Sequence, residues 1–233
     1  MVQMNVRSPK FDFVRASNEP AFIRDDGRGF LIGYRFCGTV LPNLTARQTD
    51  QKKLCDAFHI IGMICVSLKV RDIIESLEPN AHQFFSIALE AKDGTPHPVE
   101  YYIFNPCAVI DAYLDVADAP HWSERMGDRL PYRKGLEDVT LSSQEIAGRH
   151  IWVGGFQGRD DIFISDVLHK KFEKAKVRYL WCRHLPKESD AAWHPEEQMP
   201  QVMRWLEADP ARIHELIETR PDWVRRHRPD WLQ

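Results

Sequence analysis

ICVSLKVRDIIES, residues 64–76, and IFISDVLHKKFEK, residues 162–174, align without a gap, and their reading decides the fold. Each opens on a short apolar run, passes through a serine and continues as an amphipathic segment. In the first, Val70, Ile73, Ile74 and Leu77 recur at i, i+3, i+4 and i+7, the spacing that gathers apolar side chains on one helix face. The second predicts a helix over about Ser165 to Lys174. Ser67 and Ser165 stand at the N-cap, where a serine oxygen can accept a first-turn N–H that no carbonyl reaches. Pro79 ends the first helix. An aromatic strand follows each copy, HQFFSIAL (82–89) and RYLWCR (178–183). Strand–serine–helix is a generic pattern, so the alignment leaves duplication and coincidence both open. Two copies are too few for a solenoid.

Outward from these copies, VEYYIF (99–104) reads as a strand stopped by Asn105-Pro106, and HIWV (150–153) as another. The first 50 residues read as short strands joined by turns, with a turn signal at residues 25–29 and strand formers at 30–36. Residues 116–135 are polar and broken by Pro120, Gly127, Pro131 and Gly135, a long loop of the kind that often carries function. After Pro186 the texture changes. An acidic stretch leads to one helix with Pro200 near its start, carrying Val202, Met203 and Leu206. Another is capped by Asp209 with Pro210 first, and carries Ile213, Leu216 and Ile217. Arg-Pro-Asp-Trp then occurs twice, at 220–223 and 228–231, predicting two short helical turns that each dock a Trp on the body. The expected class is α+β: a mixed β-sheet with two principal helices packed on it and a helical C-terminal extension. The expected division is 1–185 for the α+β domain and 186–233 for the acidic connector and helical extension.

The chain has 233 residues, 31 Lys+Arg against 34 Asp+Glu, and a formal charge of −3. With 43% hydrophobic residues and 28% charged, it is neither disordered nor a disulfide scaffold. The near-neutral balance gives no general reason to bind nucleic acid or anionic lipid. IIGMICV (60–66) is the longest apolar run, far short of a membrane span. MVQMNVRSPK has no apolar signal region, and the five cysteines are odd in number with no Cys-x-x-Cys pair. Reduced thiols and a cytoplasmic location are expected.

Motifs for chemistry are sparse. GGFQG (154–158) lacks the Lys-Ser/Thr ending of a phosphate loop and leads into a strand, which fits a turn. Cys182, His184 and His194 come nearest to a metal set, but zinc needs further converging ligands, so neither metal nor cofactor is expected. Cys107 follows Asn105-Pro106 at a strand end, with His121 further on; a reactive thiolate there would need a nearby cation or helix N-terminus. Arg125, Arg129 and Arg133 could rim an anion site but alternate with Glu124 and Asp128. No constellation makes a catalytic site. The enzyme reading is an unknown reaction on a small anionic substrate near the 116–135 loop, using Cys107, His121 or the arginines. A third reading is a module that self-associates as a homodimer through its Trp-bearing tail.

The order of features at YYIFNPCAVIDAYLD, LSSQEIAGRHIWVGG and DIFISDVLHKKFEKAKVRYLWC resembles the immunity protein 11 family of bacterial polymorphic-toxin systems, a former domain of unknown function. The pieces are Ser67 to Leu77, Tyr101 to Asn105, Leu141 to Val153 and Ser165 to Cys182, and the resemblance covers about residues 55–185. The sequence departs from the family pattern at Lys176-Val177-Arg178, where a Gly-containing turn is usual, and at Trp152, where Phe is commoner. The resemblance implies a non-enzymatic protein that binds a cognate toxin and blocks it. It brings no catalytic residues with it. A partner-specific binder needs aromatic anchors and matched charge. The candidate partner-binding residues are Trp122 in the long loop, Trp193 in the acidic stretch, and Glu188, Asp190, Glu196 and Glu197, which would oppose a basic toxin cleft.

Overall fold

The computed structural model describes residues 2–6, 11–13, 35, 44–50, 53–60, 63–114, 140–155, 162–178, 180–184 and 187–233. At 2–6, 11–13, 180–184 and 187 the description covers the backbone alone. The chain forms two compact units, one of Met1–Ile110, Gly148–Gly155 and Arg159–His184, the other of Asp111–Ala147, Phe156–Gly158 and Leu185–Gln233. The class is α+β.

The first unit contains β1 (Val2–Val6), β2 (Phe11–Phe13), β3 (Leu44–Gln48), β4 (Ala57–Ile60), β5 (Met63–Ser67), α1 (Leu68–Glu75), β6 (Gln83–Glu90) and β7 (Tyr101–Asn105). These strands, β1 apart, make a six-stranded sheet in the order β2-β3-β6-β7-β5-β4, mixed because β3 and β6 run parallel. After β8 (Thr140–Ser142) and the single-turn α2 (Ser143–Ile146), which belong to the second unit, come β9 (Ile151–Val153), β10 (Ile162–Ile164), α3 (Asp166–Lys174) and β11 (Leu180–His184). With β1 they make a four-stranded antiparallel sheet, β11-β1-β10-β9. Both expected helices and the strands at 83–90, 101–105 and 151–153 are present; the expected strand at residues 30–36 lies, Arg35 apart, outside the described residues.

The two aligned copies occupy equivalent places. β6-β7-β5-β4 and β11-β1-β10-β9 have the same order, with the strands flanking each helix separated by one strand antiparallel to both. The registers agree residue by residue. Cys65 faces Phe58 and Ile103, and its counterpart Phe163 faces Trp152 and Gln3. Ser86 pairs with Tyr102, and its counterpart His184 pairs with Val2. The helices bury matching positions four residues apart, Val70 and Ile74 in α1, Leu168 and Phe172 in α3. Burying such side chains stabilises by roughly 1.5–3 kcal/mol each. They join one core with Phe58, Ile64, Ile103, Phe104, Ile151 and Ile164.

The polar ends of the copies are fastened differently. Ser67 N–H donates to Asp56 O (2.8 Å) and Ser165 N–H to His150 O (2.9 Å), the same bond in both. The Ser165 hydroxyl caps α3, accepting from Leu168 N–H at 3.1 Å, and also bonds His150 Nδ1 at 2.8 Å. Ser67 makes no such cap; its hydroxyl donates to Asp56 Oδ1 at 3.1 Å. Asp56 also takes Lys69 Nζ at 2.8 Å and Arg178 N–H at 2.9 Å. Burial pushes this carboxyl up, but the bonds from Lys69, Arg178 N–H and Ser67 outweigh it and hold it below its ordinary value. A second tie comes from Glu78, whose Oε2 accepts from Ile151 N–H at 3.1 Å. The first copy thus supplies both carboxylates, each accepting from a backbone N–H of the second.

In the second unit β8 pairs in parallel with β12 (Lys187–Ser189). Then follow α4 (Pro195–Gln198), α5 (Pro200–Glu207), α6 (Pro210–Thr219), α7 (Pro221–His227) and a 3-10 turn (Pro229–Leu232). All five begin on proline, whose fixed φ and missing N–H suit the first helical position. The Asp209 side chain accepts from Ala211 N–H at 3.0 Å, as the sequence predicts. Met199, Val202, Met203, Leu206, Leu216 and Val224 form the core, with Trp223 and Trp231 packed against it. The tail expected at 186–233 shares this unit with Asp111–Ala147. No helix among the described residues is long and apolar enough to cross a membrane.

Candidate functional site

The thiol proposed for catalysis sits at the end of β7 in a polar network. Cys107 N–H donates to His82 Nδ1 at 3.1 Å, and His82 Nε2 lies 2.9 Å from Glu78 Oε2. Because Nδ1 accepts, the ring proton is on Nε2 and is donated to Glu78. Cysteine, histidine and glutamate are in sequence contact, but through the cysteine's amide and not its sulfur. Sγ instead approaches Asn105 O at 3.3 Å, and burial pushes the thiol up to about 11, outweighing the nearby Arg35. A thiol protonated at neutral pH, with no base on its sulfur among the described residues, is not an activated nucleophile there. The network is structural: it joins β6, β7 and β9 through one buried histidine.

His121, Arg125, Arg129, Arg133 and the rest of the 116–135 loop lie outside the described residues, as do the side chains of Cys182 and His184. Among the described residues no group of three or more His, Cys, Asp or Glu side chains could hold a metal ion.

The candidate partner-binding residues divide by placement. Trp122 lies outside the described residues. Trp193, expected as a surface anchor, is 2% exposed. Its Nε1–H donates to Tyr113 O at 3.2 Å, and its ring meets His227 edge-on with centroids 4.8 Å apart and Trp223 at 6.3 Å. It belongs to its own unit's core because a buried indole keeps its N–H paired only where a carbonyl is waiting, and Tyr113 supplies one. His227 is pushed down to about 4, chiefly by burial and then by Arg226 and His194, so the ring against Trp193 is neutral at physiological pH.

The four acidic candidates are exposed and bracket that anchor. Glu188 lies on β12. Asp190 follows it and is held by the Ser143 hydroxyl at 2.5 Å, while Ser142 Oγ donates to Ala191 O at 2.7 Å. Glu196 and Glu197 lie in the single turn of α4, beside Gln198, whose side chain accepts from His194 N–H and donates to Leu114 O. The carboxylates are therefore presented by a backbone tied down on both sides of Trp193. Glu196 is 3.6 Å from Arg228, a cation drawn more closely to Glu207 and Asp230, each at 2.7 Å.

Sequence reasoning missed the anchoring residues. Arg220, the first of the two Arg-Pro-Asp-Trp arginines, is buried 3.8 Å from Asp111. Neither this pair nor Trp193–Tyr113 leaves a local signal, since the partners are more than 75 residues apart. Glu78 and His82 do carry one, the i, i+4 spacing.

A family model, the immunity protein family Imm11, matches residues 16–185. No curated protein sequence matches the chain. The family match spans well over half of the chain and includes both strand–helix–strand copies; the chain belongs to this immunity protein family.

Proposed function

We propose that this Imm11 protein acts by binding a protein toxin encoded beside it, neutralising it in the cytoplasm without catalysis. The family match over residues 16–185 carries this reading. The protonated Cys107 thiol and the occupied His82 ring support the non-enzymatic part.

Within this proposal Glu188, Asp190, Glu196 and Glu197 oppose a basic face of the toxin. Carboxylates on a constrained backbone lose little chain entropy on binding, and they speed encounter with a cationic partner. Trp193 contributes by fixing that backbone, and Trp122 is the aromatic anchor.

Co-expression with the adjacent toxin tests it. Growth is expected to recover, the two proteins to co-purify, and Cys107→Ala to protect as well as the parent. A combined Glu188→Lys, Asp190→Lys, Glu196→Lys and Glu197→Lys variant is expected to bind at least about tenfold more weakly and to lose the salt dependence of association. A toxin that kills equally with and without this protein would overturn the reading. Unchanged binding by the reversal variant would remove the acidic stretch from the interface.

A further inference from the structure

The first unit holds a cleft of about 620 Å³ beside the end of β3 and the β6–β7 connection. That volume is within the range of small-molecule sites. Its lining combines an apolar bed with cations. Leu54, Pro98, Val99 and the Tyr101 ring supply the first. The Tyr101 hydroxyl is spent on Cys55 O at 3.1 Å, so the residue offers the cleft hydrocarbon and not a donor. Val99 is 49% exposed, one of three large apolar side chains so exposed among the described residues.

Lys53, Lys92 and Arg178 supply the charge. Two carboxylates also line the cleft and keep their charge while being held locally: Asp50 accepts from Gln48 Nε2 at 2.7 Å and Asp93 from Thr95 N–H at 2.9 Å. Lys53 and Lys92 are exposed and have no ion pair or hydrogen bond among the described residues. Arg178 touches Asp56 only at 3.9 Å through Nε, with 51% of its side chain exposed. Three cations against two carboxylates leave the lining one positive charge in excess, with Lys53 and Lys92 unpaired among the described residues next to apolar surface, a combination neither water nor a bare anion satisfies in full.

We propose that this cleft is a binding site for a small amphipathic anion, a carboxylate or phosphate on an aromatic or short aliphatic body. The headgroup is held by Lys53, Lys92 and Arg178, and the body covers Leu54, Val99 and Tyr101. The site uses none of the residues assigned to toxin contact, so the two readings stand or fall separately.

Calorimetric titration of the full chain with phenyl phosphate, inorganic phosphate and phenol tests it. Phenyl phosphate is expected to bind saturably with a dissociation constant on the order of 0.1–1 mM, in keeping with its few heavy atoms. Inorganic phosphate and phenol are each expected at least about tenfold weaker, since each satisfies one half of the cleft. Lys53→Glu with Lys92→Glu is expected to weaken phenyl phosphate at least about tenfold, and Lys53→Arg with Lys92→Arg to retain it. Val99→Glu places a carboxylate in the mouth and gives a second, independent loss. Equal affinity for inorganic phosphate, no saturable binding of phenyl phosphate, or binding unchanged in the Lys→Glu and Val99→Glu variants would overturn the proposal.

Discussion

The two strand–helix–strand copies of the first unit share a backbone plan while fastening it with different chemistry. From β5 through α1 to β6, and from β10 through α3 to β11, the spacing is the same without insertion, and the cross-strand partners correspond. What corresponds is apolar or backbone: buried positions, ladder bonds, the serine N–H on the preceding carbonyl. What differs is polar: an aspartate cluster in one copy, a serine–histidine cap in the other. Packing and ladder geometry tolerate few alternatives, whereas a buried polar group needs only some satisfied partner. The copies differ also in their middle strand. β7 follows β6 directly, but β1 reaches its place from the other end of the chain.

That last difference is the place to break the comparison. Deleting residues 2–6 removes the strand between β10 and β11 and leaves both without a ladder partner on that side. Loss of cooperative unfolding, read by circular dichroism, is expected, with protection in hydrogen exchange lost first at residues 162–164 and 180–184. A deletion variant that melts like the parent would show that β1 does not close the second copy.

The next contrast is between Asp56 and its counterpart His150. Asp56→Ala strips the partner from Ser67, Lys69 and Arg178 N–H together and is expected to cost about 3 kcal/mol. His150→Ala removes one bond to a serine that still caps its helix and is expected to cost about 1 kcal/mol. Denaturant titration measures both. Because the folded-state pKa values of Asp56 and Glu78 lie below the ordinary ones, their contribution is present above the usual carboxylate range and is lost as pH falls through the lowered values. Asp56→Asn is expected to flatten that acid limb in part, below about pH 4.

The serines sharpen the comparison further. Ser165→Ala is expected to cost about 1 kcal/mol and to speed exchange of the Leu168 amide, since the hydroxyl is its cap. Ser67→Ala, whose hydroxyl serves Asp56, is expected to leave the equivalent amide of Val70 unchanged. The smallest effect concerns the turn after each helix. Lys176 adopts φ 51°, with its N–H on Glu173 O and Val177 N–H on Phe172 O, the helix end that glycine closes at least cost. Lys176→Gly is expected to stabilise by about 0.5 to 1 kcal/mol. Asn80→Gly, at φ 57° in the other copy, is expected to gain less, because asparagine tolerates that conformation. Thermal melts compare the two.

Much of this was legible in order along the chain. The serine-led helices, the aromatic strands after them and the proline-started helices at 200–207 and 210–219 each declare themselves within a turn or two. β4 did not, because Ala57–Ile60 is a four-residue run with a histidine inside and shows no period. The three-residue parallel pair β8–β12 gave no signal either, its strands being too short and too far apart. At the candidate site, the exposure of Glu188, Asp190, Glu196 and Glu197 follows from their type alone. The burial of Trp193 depends on a carbonyl 80 residues away. Cys107 illustrates the same limit: its place after a strand was readable, its amide-side contact with His82 was not.

The sequence by itself determined the α+β class, where the two principal helices begin, the family pattern and the near-neutral charge, since all of these depend on neighbours a few residues apart. Only the tertiary structure decided that the two copies are equivalent in register, that β1 completes the second, that Asp56 and Glu78 of the first copy tie it to the backbone of the second, and that Trp193 points inward. Those outcomes rest on partners brought together from distant parts of the chain. There burial and satisfied hydrogen bonds must outweigh the entropy of closing long loops, and no local pattern encodes that balance.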